Sequence, residues 1–153
     1  LDFGKIESIH GSCMFINKTK FINIGKFDEN FFLYFEETDY CNRSNKNNFK
    51  IYQINSQKVY HEIGTSVETS NEEEVNKLKN LYAWHFIWSK FYFTKKKKGY
   101  ILSLFILAPI LLRTIIKMIY YKGIRKTLQE KHYQIRLDGL LSSIKGQKSN
   151  KRP

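Results

Sequence analysis

Charge is divided so unevenly along this chain that one evenly mixed domain is difficult to build from it. Residues 1–75 contain 8 Lys or Arg and 12 Asp or Glu, whereas residues 76–153 contain 18 and 2. The net charges of the two parts are therefore −4 and +16. An acidic part suits the handling of cations or polar ligands, and a basic part suits an anionic surface, either membrane or nucleic acid.

The composition supports a folded core. Of the 153 residues, 42% are apolar, which argues against wholesale disorder. Cys13 and Cys41 form no CxxC pair, so neither a disulfide framework nor a structural zinc site is expected. The chain starts at Leu1 rather than Met and no signal segment follows, so we expect it to begin within a domain.

Short elements are predicted throughout the acidic part. Residues 6–16 indicate a strand that enters a Gly-Ser turn, and residues 17–29 contain a short helix ending at Gly25. A second helix is expected from Thr38, a candidate N-cap, to about Lys46. Further short strands are predicted at residues 49–54 and 57–60.

Three carboxylates, Glu36, Glu37 and Asp39, directly follow a nearly continuous aromatic and apolar run at residues 30–35. Like charges this close repel, so at least one carboxyl pKa should rise unless a cation lies nearby. Arg43 lies one helical turn beyond Asp39 and could pair with it. The cluster suits a general base, but it equally suits a solvated helix start stabilised by the helix dipole.

The neighbours of this acidic cluster carry a family resemblance. In order, they read GSCMFI at 11–16, IGKFDE at 24–29 and FFLYFEETDYCNR at 31–43, followed by a strand ending in Val-Tyr-His at 59–61. Over residues 9–66 this order resembles the second half of family 2 glycosyltransferases, nearest to the rhamnosyltransferase-like branch of bacterial surface polysaccharide synthesis. The resemblance implies an α/β fold, in which residues 1–75 are the acceptor-side half of a GT-A domain.

The resemblance also implies roles for single residues. Glu37 stands where the family has its catalytic base, usually Asp, and Asp39 matches the acid that follows and is the second candidate. The remaining residues expected around acceptor and donor are Gly11, Ser12, Glu36 and Arg43, the last as a partner of the acids. The implied reaction is a single displacement with inversion at the sugar.

A divalent cation, Mg²⁺ or Mn²⁺, is implied as well. In some relatives a histidine at the position of His61 completes a metal site begun by an upstream Asp-x-Asp; the alternative is a histidine that hydrogen-bonds its own loop. This chain contains no Asp-x-Asp, so the cation is expected to be held mostly by an upstream half. Without that half we expect little or no activity. His10, His85 and His132 are expected to be structural or exposed.

The basic part predicts helices. Apolar residues spaced three or four apart indicate a helix over residues 72–93, which the run Lys95 to Lys98 and Gly99 should break. Residues 100–112 are uncharged but shorter than the ~20 residues that span a bilayer. The flanking aromatics and lysines favour peripheral membrane contact; packing on the catalytic domain is the alternative, and nucleic acid fits the uncharged run poorly. A helical membrane-associating extension is thus expected over 76–144, and a disordered basic tail over 145–153.

Together these features predict transfer of a hexosyl or deoxyhexosyl unit from a nucleotide-sugar donor to a lipid-linked or growing surface glycan. The expected location is the cytoplasmic face of the bacterial inner membrane, on an anionic surface and without nucleic acid. The alternative is a non-enzymatic, basic, membrane-associated protein whose acidic cluster is structural.

Overall fold

The computed structural model describes residues 2–61 and 71–152, so residues 62–66 of the segment that carries the family resemblance lie outside the described residues. The elements in chain order are β1 (Phe3–Ile6), α1 (Lys18–Ile24), α2 (Glu36–Lys46), β2 (Ile51–Ile54), α3 (Glu72–Lys98), α4 (Tyr100–Gly123) and α5 (Thr127–Ile144). They form two compact units. The acidic unit comprises Leu1–Glu29 and Phe35–Glu68, and the helical unit comprises Asn30–Tyr34 and Thr69–Pro153.

The expected α/β fold, a partial GT-A domain, is wrong. The described residues are mostly helical, and their β structure is the antiparallel pair β1–β2, in which Phe3 lies opposite Ile54 and Ile6 opposite Ile51. The strand predicted within residues 6–16 does not form beyond Ile6, where β1 ends, and no strand forms at 57–60. A strand needs a neighbour for its backbone N–H and C=O groups, and β propensity alone does not supply one.

The two short helices of the acidic unit were predicted more accurately. The Asn17 side chain caps α1 by accepting a hydrogen bond from the backbone N–H of Lys20 at 3.1 Å, and Gly25 ends the helix in the left-handed conformation, as predicted. The Thr38 cap is wrong, because α2 begins at Glu36 after Phe35. Carboxylates in this first turn are stabilised by the helix dipole, which favours the earlier start.

An aromatic cluster holds α1 and α2 together. The rings of Phe21, Phe27 and Tyr40 contact one another with centroids 5.3 to 5.5 Å apart. Tyr40 and Cys41 are buried on the inner side of α2. The first turn of α2, with its acidic cluster, is therefore positioned by a packed helix rather than by a loop.

The helical unit is built on α3, which extends through Lys98 and ends at Gly99, four residues beyond the start of the lysine run. Its core is made of Ile87, Phe91, Leu107 and Leu140 from three helices. At Gly139, α5 approaches α3 so closely that an added Cβ would lie 2.7 Å from the backbone oxygen of Trp84. Glycine at this position therefore sets the distance between the two helices.

The aromatic run that precedes the acidic cluster packs on α3. The ring of Phe31 lies 4.9 Å from that of Tyr92, and Phe32 lies 4.9 Å from His85. The hydroxyl of Ser89, which is buried, donates to the carbonyl of Leu33 at 2.8 Å. These contacts fix the backbone of residues 31–33 within the helical unit.

The C-terminal residues also lie along α3, where disorder was predicted over 145–153. The indole of Trp88 donates to the carbonyl of Gln147 at 3.0 Å. His85 is fully buried, and its two ring nitrogens lie 2.9 Å from Ser149 Oγ and 2.9 Å from the carbonyl oxygen of Lys151. The indole and imidazole groups of α3 thus have hydrogen-bond partners in the tail, which explains why residues 147–151 adopt a defined path.

The packing at Gly139 leads to a stability prediction. Gly139→Ala should lower the free energy of unfolding by about 2 kcal/mol, because backbone and Ile87 atoms would have to move. Gly123→Ala is the matched control, since a Cβ there meets nothing within 4 Å and alanine favours helix. Urea unfolding followed by circular dichroism measures both. Equal stability of the two variants would contradict the packing described here.

Candidate functional site

Two aromatic residues in an unusual conformation precede the acidic cluster. Tyr34 has φ 68° and Phe35 has φ 72°, both in the left-handed region. A bulky side chain there costs about 1–3 kcal/mol per residue, and such strain tends to collect at functional sites. The conformation turns the chain so that Glu36, Glu37 and Asp39 all fall in or beside the first turn of α2.

Asp39 forms an ion pair with Arg43, as the i,i+4 spacing predicted. The Arg43 Nε donates to Asp39 Oδ2 at 2.8 Å, and Asp39 is only 1% exposed. The same guanidinium donates to the carbonyls of Ile24, at 2.8 Å, and of Lys26. The ion pair therefore ties α2 to the end of α1, which gives Asp39 a structural role and makes it the poorer candidate base.

Glu36 and Glu37 are different, because each has a buried Oε2 with no hydrogen-bond partner among the described residues. Burial raises the pKa of Glu36 despite the opposing hydrogen bond from the backbone, and repulsion from Glu37 raises it further. The pKa of one carboxyl of the cluster is thus raised, as predicted, but burial is the main cause and like-charge repulsion is the smaller one. An unpaired buried carboxylate oxygen is costly unless it meets a proton, a cation or a ligand hydroxyl.

The turn around Gly11 lies against Glu37. A methyl group on Gly11 would sit 3.7 Å from Cγ and Cδ of Glu37, which is ordinary contact distance. The backbone N–H of Ser12 donates to His10 Nδ1 at 3.3 Å, and the hydroxyl oxygen of Ser12 lies 3.1 Å from the same nitrogen. The imidazole of His10 lies 6.0 Å from that of His61, measured between ring centroids.

This neighbourhood brings together four of the predicted residues, Gly11, Ser12, Glu37 and His61. The side chain of Glu37 lies against the turn at Gly11, and Ser12 hydrogen-bonds His10, whose ring is next to that of His61. His10 was expected to be structural or exposed, and it is exposed. Its hydrogen bond to Ser12 nevertheless places it within this neighbourhood.

The described residues do not complete a metal site. No group of three His, Cys, Asp or Glu within residues 2–61 and 71–152 is arranged to hold an ion. His10 and His61 supply two imidazoles, whereas divalent cations in proteins usually take four or more ligands. Whether His61 is a metal ligand therefore stays a prediction.

The outer face of α4 is the second candidate surface. Large apolar side chains are exposed there at Ile101, Phe105, Leu112, Ile116 and Ile119. The face toward the other helices is also largely apolar, with Leu107 in the core, and it contains Ser103 and Thr114, whose hydroxyls donate to the carbonyls of Gly99 and Ile110. A helix that is apolar on its outer face as well as its inner face differs from a water-facing helix, whose outer face is polar.

Helix α4 is also longer than the uncharged run at residues 100–112 indicated. It continues through Pro109 to Gly123, 24 residues in all, or about 36 Å. By length and composition alone it is the one helix within the described part of the chain that could cross a membrane. Pro109 lies inside this helix, and proline is more frequent in membrane helices than in soluble ones.

Comparison with known proteins gives one partial match. A 48-residue segment, 31% of this chain, is 42% identical to the low-salt glycan biosynthesis hexosyltransferase Agl10 of Haloferax volcanii. The segment covers 16% of that protein, so the chain spans a small part of the length of this curated relative. No family model matches the chain. No solved structure matches it either. The match supports a relationship to glycosyltransferases and carries no information on family 2 or the rhamnosyltransferase-like branch.

The perturbed carboxyl of Glu36 leads to a pH prediction. Because its pKa in the folded state is raised above the ordinary 4.5, the folded state binds the proton more tightly. Stability should therefore fall as pH rises from 4.5 through the folded-state pKa. Glu36→Gln should abolish this decrease, measured by urea unfolding across that range. Parallel pH profiles for the variant and the unchanged protein would contradict the burial of this carboxyl.

Proposed function

We propose that this chain is the acceptor-side portion of a glycosyltransferase that transfers a hexosyl or deoxyhexosyl unit at a membrane surface. The observation that carries the proposal is the buried Oε2 of Glu37, which has no hydrogen-bond partner among the described residues. Glu37 lies in the first turn of α2, with its side chain against Gly11. The relationship to a hexosyltransferase over 48 residues supports the reaction class. The finer assignment to the rhamnosyltransferase-like branch of family 2 rests on the motif order over residues 9–66.

Glu37 is the proposed general base. Its carboxylate accepts the proton of an acceptor hydroxyl as the hydroxyl oxygen attacks the anomeric carbon, and the bond to the nucleoside diphosphate breaks with inversion. The packed first turn of α2 holds the carboxylate in place, and the Asp39–Arg43 pair fixes the helix that carries it. Glu36 has the raised pKa, so it retains its proton more readily and is suited to hydrogen-bond a sugar hydroxyl.

The donor side of the reaction needs further residues. The chain contains no Asp-x-Asp motif, so the nucleotide sugar and any Mg²⁺ or Mn²⁺ are proposed to be bound mostly by a separate donor-binding part. His61, with His10 beside it, is the proposed contribution of this chain to that end of the site. Activity is therefore expected only when the donor-binding part is supplied.

The acceptor is proposed to be a lipid-linked or growing surface glycan at the cytoplasmic face of the bacterial inner membrane. The exposed apolar face of α4 and the adjacent lysine run suit an anionic bilayer surface. Nucleic acid is disfavoured because the exposed residues next to the lysines are aliphatic and aromatic. A non-enzymatic, membrane-associated protein is the second candidate, favoured by the structural use of Asp39.

Replacing the proposed base by its uncharged isostere separates the two candidates. Glu37→Gln should lower sugar transfer about 10²- to 10⁴-fold when the donor-binding part is supplied, because proton removal is lost. Glu29→Gln is the control, since it removes the same charge from an exposed position in the acidic unit. Transfer is measured with radiolabelled nucleotide sugar and a lipid-linked acceptor. If Glu37→Gln keeps the rate of the control, Glu37 is not the base.

Membrane contact has its own test. Changing Lys95 to Lys98 together to Ser should weaken binding to phosphatidylglycerol vesicles by about a thousandfold, since each cation contributes about 1 kcal/mol near an anionic surface. The control changes four exposed lysines of the acidic unit to Ser: Lys5, Lys18, Lys20 and Lys50. Vesicle flotation measures both. Equal binding of the two variants would remove the electrostatic part of the proposal.

A further inference from the structure

An apolar groove of about 450 Å³ lies between the three long helices of the helical unit. Its walls include Phe91 of α3, Leu104, Ala108 and Leu111 of α4, and Leu140 and Ile144 of α5, and all of its lining side chains are apolar. Water gains no hydrogen bonds in such a site, so the groove favours a hydrocarbon occupant.

Cations lie directly beside one end of the groove. Lys95 and Lys98 lie four and seven residues after the lining residue Phe91, on the same face of α3, and the lining residue Ile101 follows in α4. The ammonium groups of Lys96 and Lys97 lie over the rings of Phe31 and Tyr92, and of Phe93. The Tyr100 hydroxyl donates to the carbonyl of Ile144 at 3.3 Å, which brings the end of α5 to the same place. An occupant that fits both features has a hydrocarbon chain and an anionic head.

We propose that this groove holds one acyl chain of an anionic membrane phospholipid, whose phosphate lies beside Lys95 and Lys98. A second copy of this chain fits less well, because it would bring an identical set of lysines to the positive end of the groove. An acyl chain can enter laterally, since Ile101 and Phe105 line the groove and are also exposed on the outer face of α4. The inference rests on the proposed membrane contact but not on transferase activity.

Two tryptophan variants distinguish the groove from the outer face. Ala108→Trp should fill the groove, because Ala108 lines it. Leu112→Trp is the matched control, one helical turn further along α4 and 60% exposed outside the groove. Both variants add an aromatic ring to the same helix, so both should bind vesicles as well as the unchanged chain does.

The probe is phosphatidylglycerol that carries a photoactivatable group in one acyl chain, incorporated into phosphatidylglycerol vesicles with the 153-residue chain. After irradiation, mass spectrometry locates the labelled residues. Label should appear on Leu111 and Leu140, and Ala108→Trp should reduce it about tenfold, equivalent to losing about two buried methylenes. Leu112→Trp should leave this label unchanged, and a phosphatidylcholine probe with the same chain should label the groove less.

Three results would overturn the inference. Equal labelling of Leu140 in the two tryptophan variants would show that the groove is not the site. Label confined to outer residues such as Ile116 and Ile119 would indicate contact with bulk lipid only. Cross-links between two chains through the groove residues would identify a second copy as the occupant. Loss of vesicle flotation in the unchanged chain would instead refute the membrane contact itself, so the two failures are distinguishable.

Discussion

The close approach of α5 to α3 is the constraint on which the helical unit depends. Gly139 allows the two backbones to meet, and Leu140 beside it enters the core with Ile87, Phe91 and Leu107. With α3 held in this way, its indole, imidazole and hydroxyl groups reach the C-terminal residues and the aromatic run at 31–33. The close approach of the two backbones at Gly139 therefore supports the contacts made by the middle of α3, from Trp84 to Phe91.

The acidic unit depends on an interaction of another kind. One guanidinium, that of Arg43, satisfies a buried carboxylate on its own helix and two carbonyl groups at the end of α1. Breaking a buried pair of this kind usually costs several kcal/mol, because the remaining charge is left without compensation. The three neighbouring acids therefore have different roles. Asp39 stabilises the helix, while Glu36 and Glu37 keep oxygen atoms without partners.

Much of the local structure could be predicted from the sequence. Capping chemistry located the end of α1 at Gly25, and helical spacing indicated the Asp39–Arg43 pair. Like-charge crowding indicated the direction of the Glu36 pKa shift, but its main cause is burial, which the sequence does not show. The fold class was predicted wrongly for a physical reason. A segment such as residues 9–16 has the composition of a strand, but whether it becomes one depends on a partner strand elsewhere, and β1 pairs with β2 instead.

The sequence by itself determined the division of charge, the short helices, the position of the acidic cluster and the relationship to glycosyltransferases, because each depends on residues close together in the chain. Tertiary structure alone decided that the guanidinium of Arg43 also reaches the carbonyls of Ile24 and Lys26, that His10 lies beside His61, and that α4 exposes large apolar side chains on its outer face. Those properties depend on contacts between residues far apart in sequence, which periodicity and composition do not specify.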